Sequence, residues 1–167
     1  ALKTLNYSAN SINEEELNLA YEKLIKLIPN IKEISSGNAI SYFIINDFKV
    51  GMAFSGDAKL IIDKSKDFKF VYPKEGALKW ADGMVILKDS TNKDLAYKFI
   101  DFVIEAKNSA KIGIITGYSV PNINAKQYIN KKDLLNHISY PTSTDLFGAE
   151  ILIEHPETYF KILEKFE

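Results

Sequence analysis

Two short stretches, Phe54-Ser55-Gly56-Asp57 and Trp80-Ala81-Asp82, each set an aromatic ring within three residues of a carboxylate, about 25 positions apart. A ring face holds a cation by about 0.5 to 2 kcal/mol through its quadrupole, while a carboxylate accepts the N–H donors in charge-assisted hydrogen bonds. That combination suits an organic ammonium, and two such pairs suit a small polycation. Aspartate in a helical first turn is also a common cap or dipole partner, and tryptophan beside turn residues is often core. The conjunction of Phe54, Asp57, Trp80 and Asp82 is what marks a candidate site.

The elements that must carry these residues follow from periodicity. Asn13 before Glu14, Glu15 and Glu16 reads as an N-cap with an acidic first turn, and Leu17, Ala20, Tyr21, Leu24, Ile25 and Ile28 recur at helical spacing up to Pro29-Asn30. Ser35-Ser36-Gly37-Asn38 is a turn or cap leading to a short apolar helix over 40–45, and 48–54 reads as a buried strand. Gly56 ends that strand and opens a helix over 57–64. Further strands are predicted over 68–72 and 84–87.

Thr91-Asn92-Lys93-Asp94 offers a capping box for a long helix with Leu95, Phe99, Ile100, Phe102, Val103 and Ala106 as its core face. Another helix over 110–115 ends at Gly117, residues 123–138 read as helical in pieces, and an amphipathic terminal helix starts at Pro156. Alternating strands and helices of these lengths indicate an α/β fold with a largely parallel sheet. If 77–80 is extended, Trp80 and Asp82 lie two residues apart and share a face. Asp57 sits at a strand-to-helix corner, where open α/β sheets bind ligands; a helix N-terminus there normally invites an anion, and the protein's own Asp57 favours a cation instead.

Composition narrows the function. The chain has 167 residues, 46% hydrophobic, and a net charge of −1, which fits one domain-sized unit and leaves no basic footprint for nucleic acid. All 21 basic residues are lysine. Arginine is the usual bidentate fork for carboxylate or phosphate, so its absence argues against an anion pocket built in the usual way. No cysteine is present, which excludes disulfides, thiolate zinc sites and thiol nucleophiles. The two histidines, His137 and His155, stand 18 apart without a nucleophile elbow, a P-loop or metal-ligand spacing and are expected at the surface. No metal, cofactor or catalytic group is expected. No stretch of 18 apolar residues spans a membrane, and no signal peptide opens the chain. Its start at Ala1 suggests processing or truncation.

Landmarks run in order along nearly the whole chain: Ala1-Leu2-Lys3 to Asn6-Tyr7-Ser8, Leu27-Ile28-Pro29-Asn30, Val50-Gly51-Met52, Gly56-Asp57-Ala58, Tyr72-Pro73-Lys74-Glu75-Gly76, Trp80-x-Asp82 and Gly117-Tyr118-x-x-Pro121-Asn122. With these residues the chain closely resembles the carboxyl-terminal half of the spermidine/putrescine-binding proteins, extracytoplasmic receptors of bacterial polyamine ABC importers. The resemblance implies a periplasmic-binding-protein type II-like lobe, with a largely parallel sheet flanked by helices, a hinge crossing and carboxyl-terminal helices. It divides the chain into a second-lobe α/β portion (1–82), a segment crossing toward the first lobe (83–121), and a hinge return with carboxyl-terminal helices (122–167).

The resemblance also assigns roles. Phe54 stands where the family usually has a tryptophan packed on the methylene chain, Asp57 matches an acidic residue that meets an amine, Trp80 and Asp82 match the second aromatic wall and its carboxylate, and Tyr118 matches a hinge-side aromatic. A further polar contact falls near Glu150. The implied ligand is a small-molecule polyamine and the implied partner a membrane permease, in a periplasmic or extracytoplasmic location with or without a lipid anchor. The implied mechanism is closure of two lobes around the extended ligand. The first lobe and an acidic pair upstream of Ala1 are missing, so the chain is expected to be a fragment that self-associates through uncovered apolar surface. Two other readings remain: a sensor domain of the same fold, and a glycosidase-like enzyme using the carboxylate pair.

Overall fold

The computed structural model describes residues 1–34, 39–45 and 48–153. The turn expected at 35–38, His155 and the terminal helix expected from Pro156 lie outside the described residues. The chain divides into two compact units: the described parts of Ala1–Ser35, Tyr72–Ala81 and Leu146–Glu167 form one, and those of Ser36–Val71 and Asp82–Asp145 form the other.

The first unit opens with a 3₁₀ helix, Leu2–Leu5, and helix α1, Glu14–Ile25. The Asn13 side chain accepts from the backbone N–H of Glu15 (2.9 Å) and Glu16 (3.2 Å), so the capping predicted from sequence is realised, with Glu14 to Glu16 against the positive helix end. Leu17 and Ala20 are its buried residues. After Ile25 the chain tightens into a 3₁₀ turn, Ile28–Asn30, around Pro29. Strand β1, Leu78–Lys79, pairs in parallel with β2, Glu150–Ile151, with Leu78 opposite Glu150. Gly76 enters β1 at φ 98°, and a Cβ there would lie 2.0 Å from the Gly148 carbonyl oxygen; only glycine allows that crossing.

The second unit holds helices α2 (Ala39–Ile45), α3 (Ser55–Lys64), α4 (Lys93–Ile104), α5 (Ala106–Thr116) and α6 (Lys131–Leu134), with a 3₁₀ helix, Ile123–Tyr128, after α5. Its core is small and made of small residues. Ala110 of α5 and Ala125 of the 3₁₀ helix are fully buried with Ile129, and Val120, Leu134 and Tyr140 close around them. Alanines at the contact let the two helices approach closely.

The class is α/β and the sheet is parallel, but among the described residues the sheet has two strands. The strands expected at 48–54, 68–72 and 84–87 do not form. In the first two, aromatic contacts use the apolar residues in place of a ladder: Phe48 stacks on Tyr42 (5.8 Å), and Phe43 meets Phe68 edge to face (5.3 Å). Val50 and Met52, expected in a buried strand, and Val71 and Val85, expected in the two others, are exposed to solvent. The long helix forms but ends at Ile104, because Glu105 leaves the helical conformation at ψ 135° and Ala106 begins α5; Asn92 occupies its N-cap without a side-chain hydrogen bond, so the expected capping box is not made. Its buried line follows the prediction only at Ile100 and Val103. Ala96, Ile100 and Val103 are half-buried, whereas Leu95, Phe99 and Phe102, at i, i+4 and i+7, are exposed by 60% or more. α4 packs on α5. Among the described residues no helix is long and apolar enough to cross a membrane.

Candidate functional site

The second unit brings Asp57 and Asp82 each into electrostatic reach of Tyr118. Phe54 is the N-cap of α3, in extended conformation, and its carbonyl accepts the first helical hydrogen bond from Ala58 N–H (2.9 Å). The helix thus starts two residues earlier than periodicity alone indicated, which places Gly56 and half-buried Asp57 in its first turn. The positive end of α3 therefore faces an anionic side chain of its own.

Helix α5 ends at Gly117, whose φ of 78° is the left-handed conformation typical of a helix C-cap; its N–H donates to the Gly113 carbonyl (2.9 Å). That turn lies directly on the first turn of α3. A Cβ on Gly117 would sit 2.8 Å from the Gly56 carbonyl oxygen, and a Cβ on Gly56 would sit 2.2 Å from Cε2 of Tyr118. Two glycines thus let the end of one helix meet the beginning of another, with the Tyr118 ring lying on the Gly56 backbone. Burial first, and then the carboxylates of Asp57 and Asp82, raise the Tyr118 phenol above its ordinary value. The phenol keeps its proton at neutral pH, and the charge beside it is negative.

The lysine of the same helix turn is engaged by a neighbour. Lys59 of α3 pairs with Asp63 at i, i+4. A cavity of about 20 Å³ bounded by Lys59, Gly117, Ser139 and Tyr140 has room for no more than about one water, so it is packing space. The larger hollow, about 450 Å³, lies at the start of α4 between Ser90 and Lys98 and contains none of the candidate ligand-binding residues. Two carboxylates, a protonated phenol and the half-exposed ring of Phe54 can accept N–H donors and cover methylenes; they repel anions.

The remaining candidates fall in the other unit. Trp80 follows β1 and is 42% exposed. Glu150, expected near a ligand contact, is taken up by the protein itself. It forms an ion pair with Lys3 and accepts from the Ser8 hydroxyl and from the Ala9 backbone N–H (3.0 Å), while Lys3 also donates to the Gly148 carbonyl (2.8 Å). These donors hold the Glu150 carboxyl below the usual carboxylate range, the Lys3 hydrogen bond contributing most. With Asn10 bonded to the Ile151 carbonyl (2.8 Å) and to Ile153 N–H (3.1 Å), Glu150 fastens the start of the chain to β2. His137 is exposed, as predicted. The seat of Tyr118 was missed in the sequence reading, although Gly56 and Gly117 were each noted there as an end of an element.

The model of the bacterial extracellular solute-binding protein family matches residues 2–134. The spermidine/putrescine-binding periplasmic protein of Salmonella typhimurium is 29% identical over 150 residues, 90% of this chain and 43% of the relative. A putrescine/cadaverine-binding protein of Pseudomonas aeruginosa is 29% identical over 150 residues, 86% of this chain and 42% of the relative. Among solved structures, a putative spermidine/putrescine ABC transporter protein from Listeria monocytogenes superposes with a TM-score of 0.86 at 28% identity. It covers 99% of this chain and 52% of that one. The substrate-binding protein of a spermidine/putrescine ABC transporter from Streptococcus pneumoniae gives 0.77 at 31% identity with the same coverage. The chain thus spans about half the length of the proteins it matches. The family match, running through both units and across Asp57, Asp82 and Tyr118, shows that this chain belongs to the bacterial extracellular solute-binding proteins.

Proposed function

We propose that this chain is part of an extracytoplasmic polyamine receptor that delivers spermidine or putrescine to the permease of an ABC importer and performs no chemistry. The observation that carries this reading is the set of relatives, each aligned over 86–90% of the chain, whose names state binding of spermidine, putrescine or cadaverine. The charge pattern of the second unit supports it. An ammonium brought beside Tyr118 finds the carboxylates of Asp57 and Asp82 as acceptors, and the rings of Tyr118 and Phe54 offer faces to the methylene chain. Trp80 is a separate proposed contact, carried by the other unit and tested by itself.

The carboxylates serve here as fixed counter-charges, so the ligand leaves as it arrived. Calorimetric titration of the chain with putrescine, spermidine and glucose, each carried to millimolar concentration, tests the proposal. Saturable heat with the amines and none with the sugar is expected. Sugar binding without amine binding overturns the assignment.

A further inference from the structure

The Ser139 hydroxyl is buried and donates to the Gly117 carbonyl oxygen at 2.5 Å, across 22 residues of sequence. A buried hydroxyl and a buried carbonyl each cost free energy when unpaired, so this bond is firmly specified. Its acceptor has a particular place in the chain. The Gly117 carbonyl belongs to the peptide unit that joins Gly117 to Tyr118, and fixing the oxygen fixes that rigid plane. The N–H at the other end of the same peptide unit, that of Tyr118, reaches the Thr116 hydroxyl only at 3.5 Å, and Gly117 has wide torsional freedom, so the Ser139 bond is the shorter of the two ties on this plane.

Ser139 is in turn held from below. Ile138 N–H donates to the Asn136 side chain (2.9 Å), Tyr140 N–H donates to the Asn136 carbonyl (2.8 Å), and Ile138 is buried. From this turn the hydroxyl reaches the end of α5, and Gly117 rests on Gly56, one residue before Asp57. We infer that Ser139 is a positioning residue for the Asp57 and Tyr118 pair: by fixing the Gly117 peptide plane it holds the Tyr118 ring on Gly56. The structural part of this inference stands on geometry alone, and its consequence for affinity rests on the proposed amine binding.

The test is NMR of the chain with Ser139→Ala, read at the Gly56 Hα protons. With the Tyr118 ring on the Gly56 backbone these protons carry a ring-current shift, and Ser139→Ala is expected to move them toward ordinary glycine positions. Putrescine binding should weaken about tenfold, a loss of one hydrogen bond's worth of alignment. In a Tyr118→Ala background the same substitution should add nothing, because the two residues act as one unit. If Ser139→Ala does not fold, Ser139→Cys keeps nearly the same volume with a weaker donor and should give an intermediate Gly56 shift. Unchanged Gly56 signals in the folded variant, or an equal loss of affinity with and without Tyr118, overturn the inference. Absence of amine binding in the unsubstituted chain overturns the proposed function, and the Gly56 signals still decide the role of Ser139.

Discussion

Replacing Gly56 by alanine sets two opposed effects against each other at one position. Gly56 lies inside the first turn of α3, where alanine is intrinsically better than glycine by about 0.5 to 1 kcal/mol. The added Cβ, however, would lie 2.2 Å from Cε2 of Tyr118 and 2.5 Å from its Cδ2 and Cζ. Carbon atoms are comfortable at roughly 3.5 to 4.0 Å, so the ring must retreat by more than about 1 Å, and such overpacking costs about 1 to 3 kcal/mol. The clash outweighs the propensity. Gly56→Ala is expected to lower stability by about 1 kcal/mol, measured as a lower urea midpoint at constant slope. Putrescine affinity is expected to fall by about tenfold, since the ring leaves the space it shares with Asp57 and Asp82. A variant more stable than the parent, binding putrescine equally well, would refute the claim that the ring is seated on Gly56.

Asp57→Asn and Asp82→Asn each remove the negative charge while keeping the shape, and each should weaken putrescine binding by about ten- to a hundredfold in calorimetry. Unaltered affinity in both variants returns these residues to an ordinary capping and surface role. Trp80 is the single tryptophan of the chain, so intrinsic fluorescence reports on it alone; saturating putrescine should change the spectrum, and Trp80→Ala should weaken binding about tenfold, more than Trp80→Phe. A spectrum indifferent to amine, with normal affinity in Trp80→Ala, removes Trp80 from the ligand. Because the folded-state value of Glu150 lies below its unfolded value, its contribution to stability is present above the ordinary glutamate range and is lost as pH falls through the lowered one. Glu150→Gln should therefore cost about 1 kcal/mol at pH 7 and converge with the parent under acid conditions, and a constant difference across that window would refute the role of its ion pair.

Signals that act within a few residues were legible. The Asn13 cap, the stop at Gly117, and the helices on either side depend on neighbours one to four positions away, and periodicity exposed them. The predicted strands at 48–54 and 68–72 failed for the complementary reason. An apolar run is equally consistent with a ladder and with an aromatic cluster, and the contacts of Phe43 with Phe48 and Phe68 decided for the cluster. The partners of Glu150 were illegible for a related reason. Lys3 and Ser8, the groups its carboxylate engages, are more than 140 residues away.

By itself the sequence determined the chemistry on offer: carboxylates next to aromatic rings, lysine without arginine, no thiols, and a train of short landmarks that identified the family. It also determined most helix boundaries, because hydrogen bonds from residue i to i−4 and capping side chains are local. Only the tertiary structure decided which of the acidic residues share a neighbourhood. Tyr118 is set beside the turn that carries Asp57 by the packing of the end of α5 on the start of α3, which two glycines permit and the Ser139 hydroxyl secures, and Asp82 acts on the same phenol. No periodicity records such a contact, since steric fit between residues 56, 117 and 139 is a property of where the chain returns in space and leaves no pattern along it.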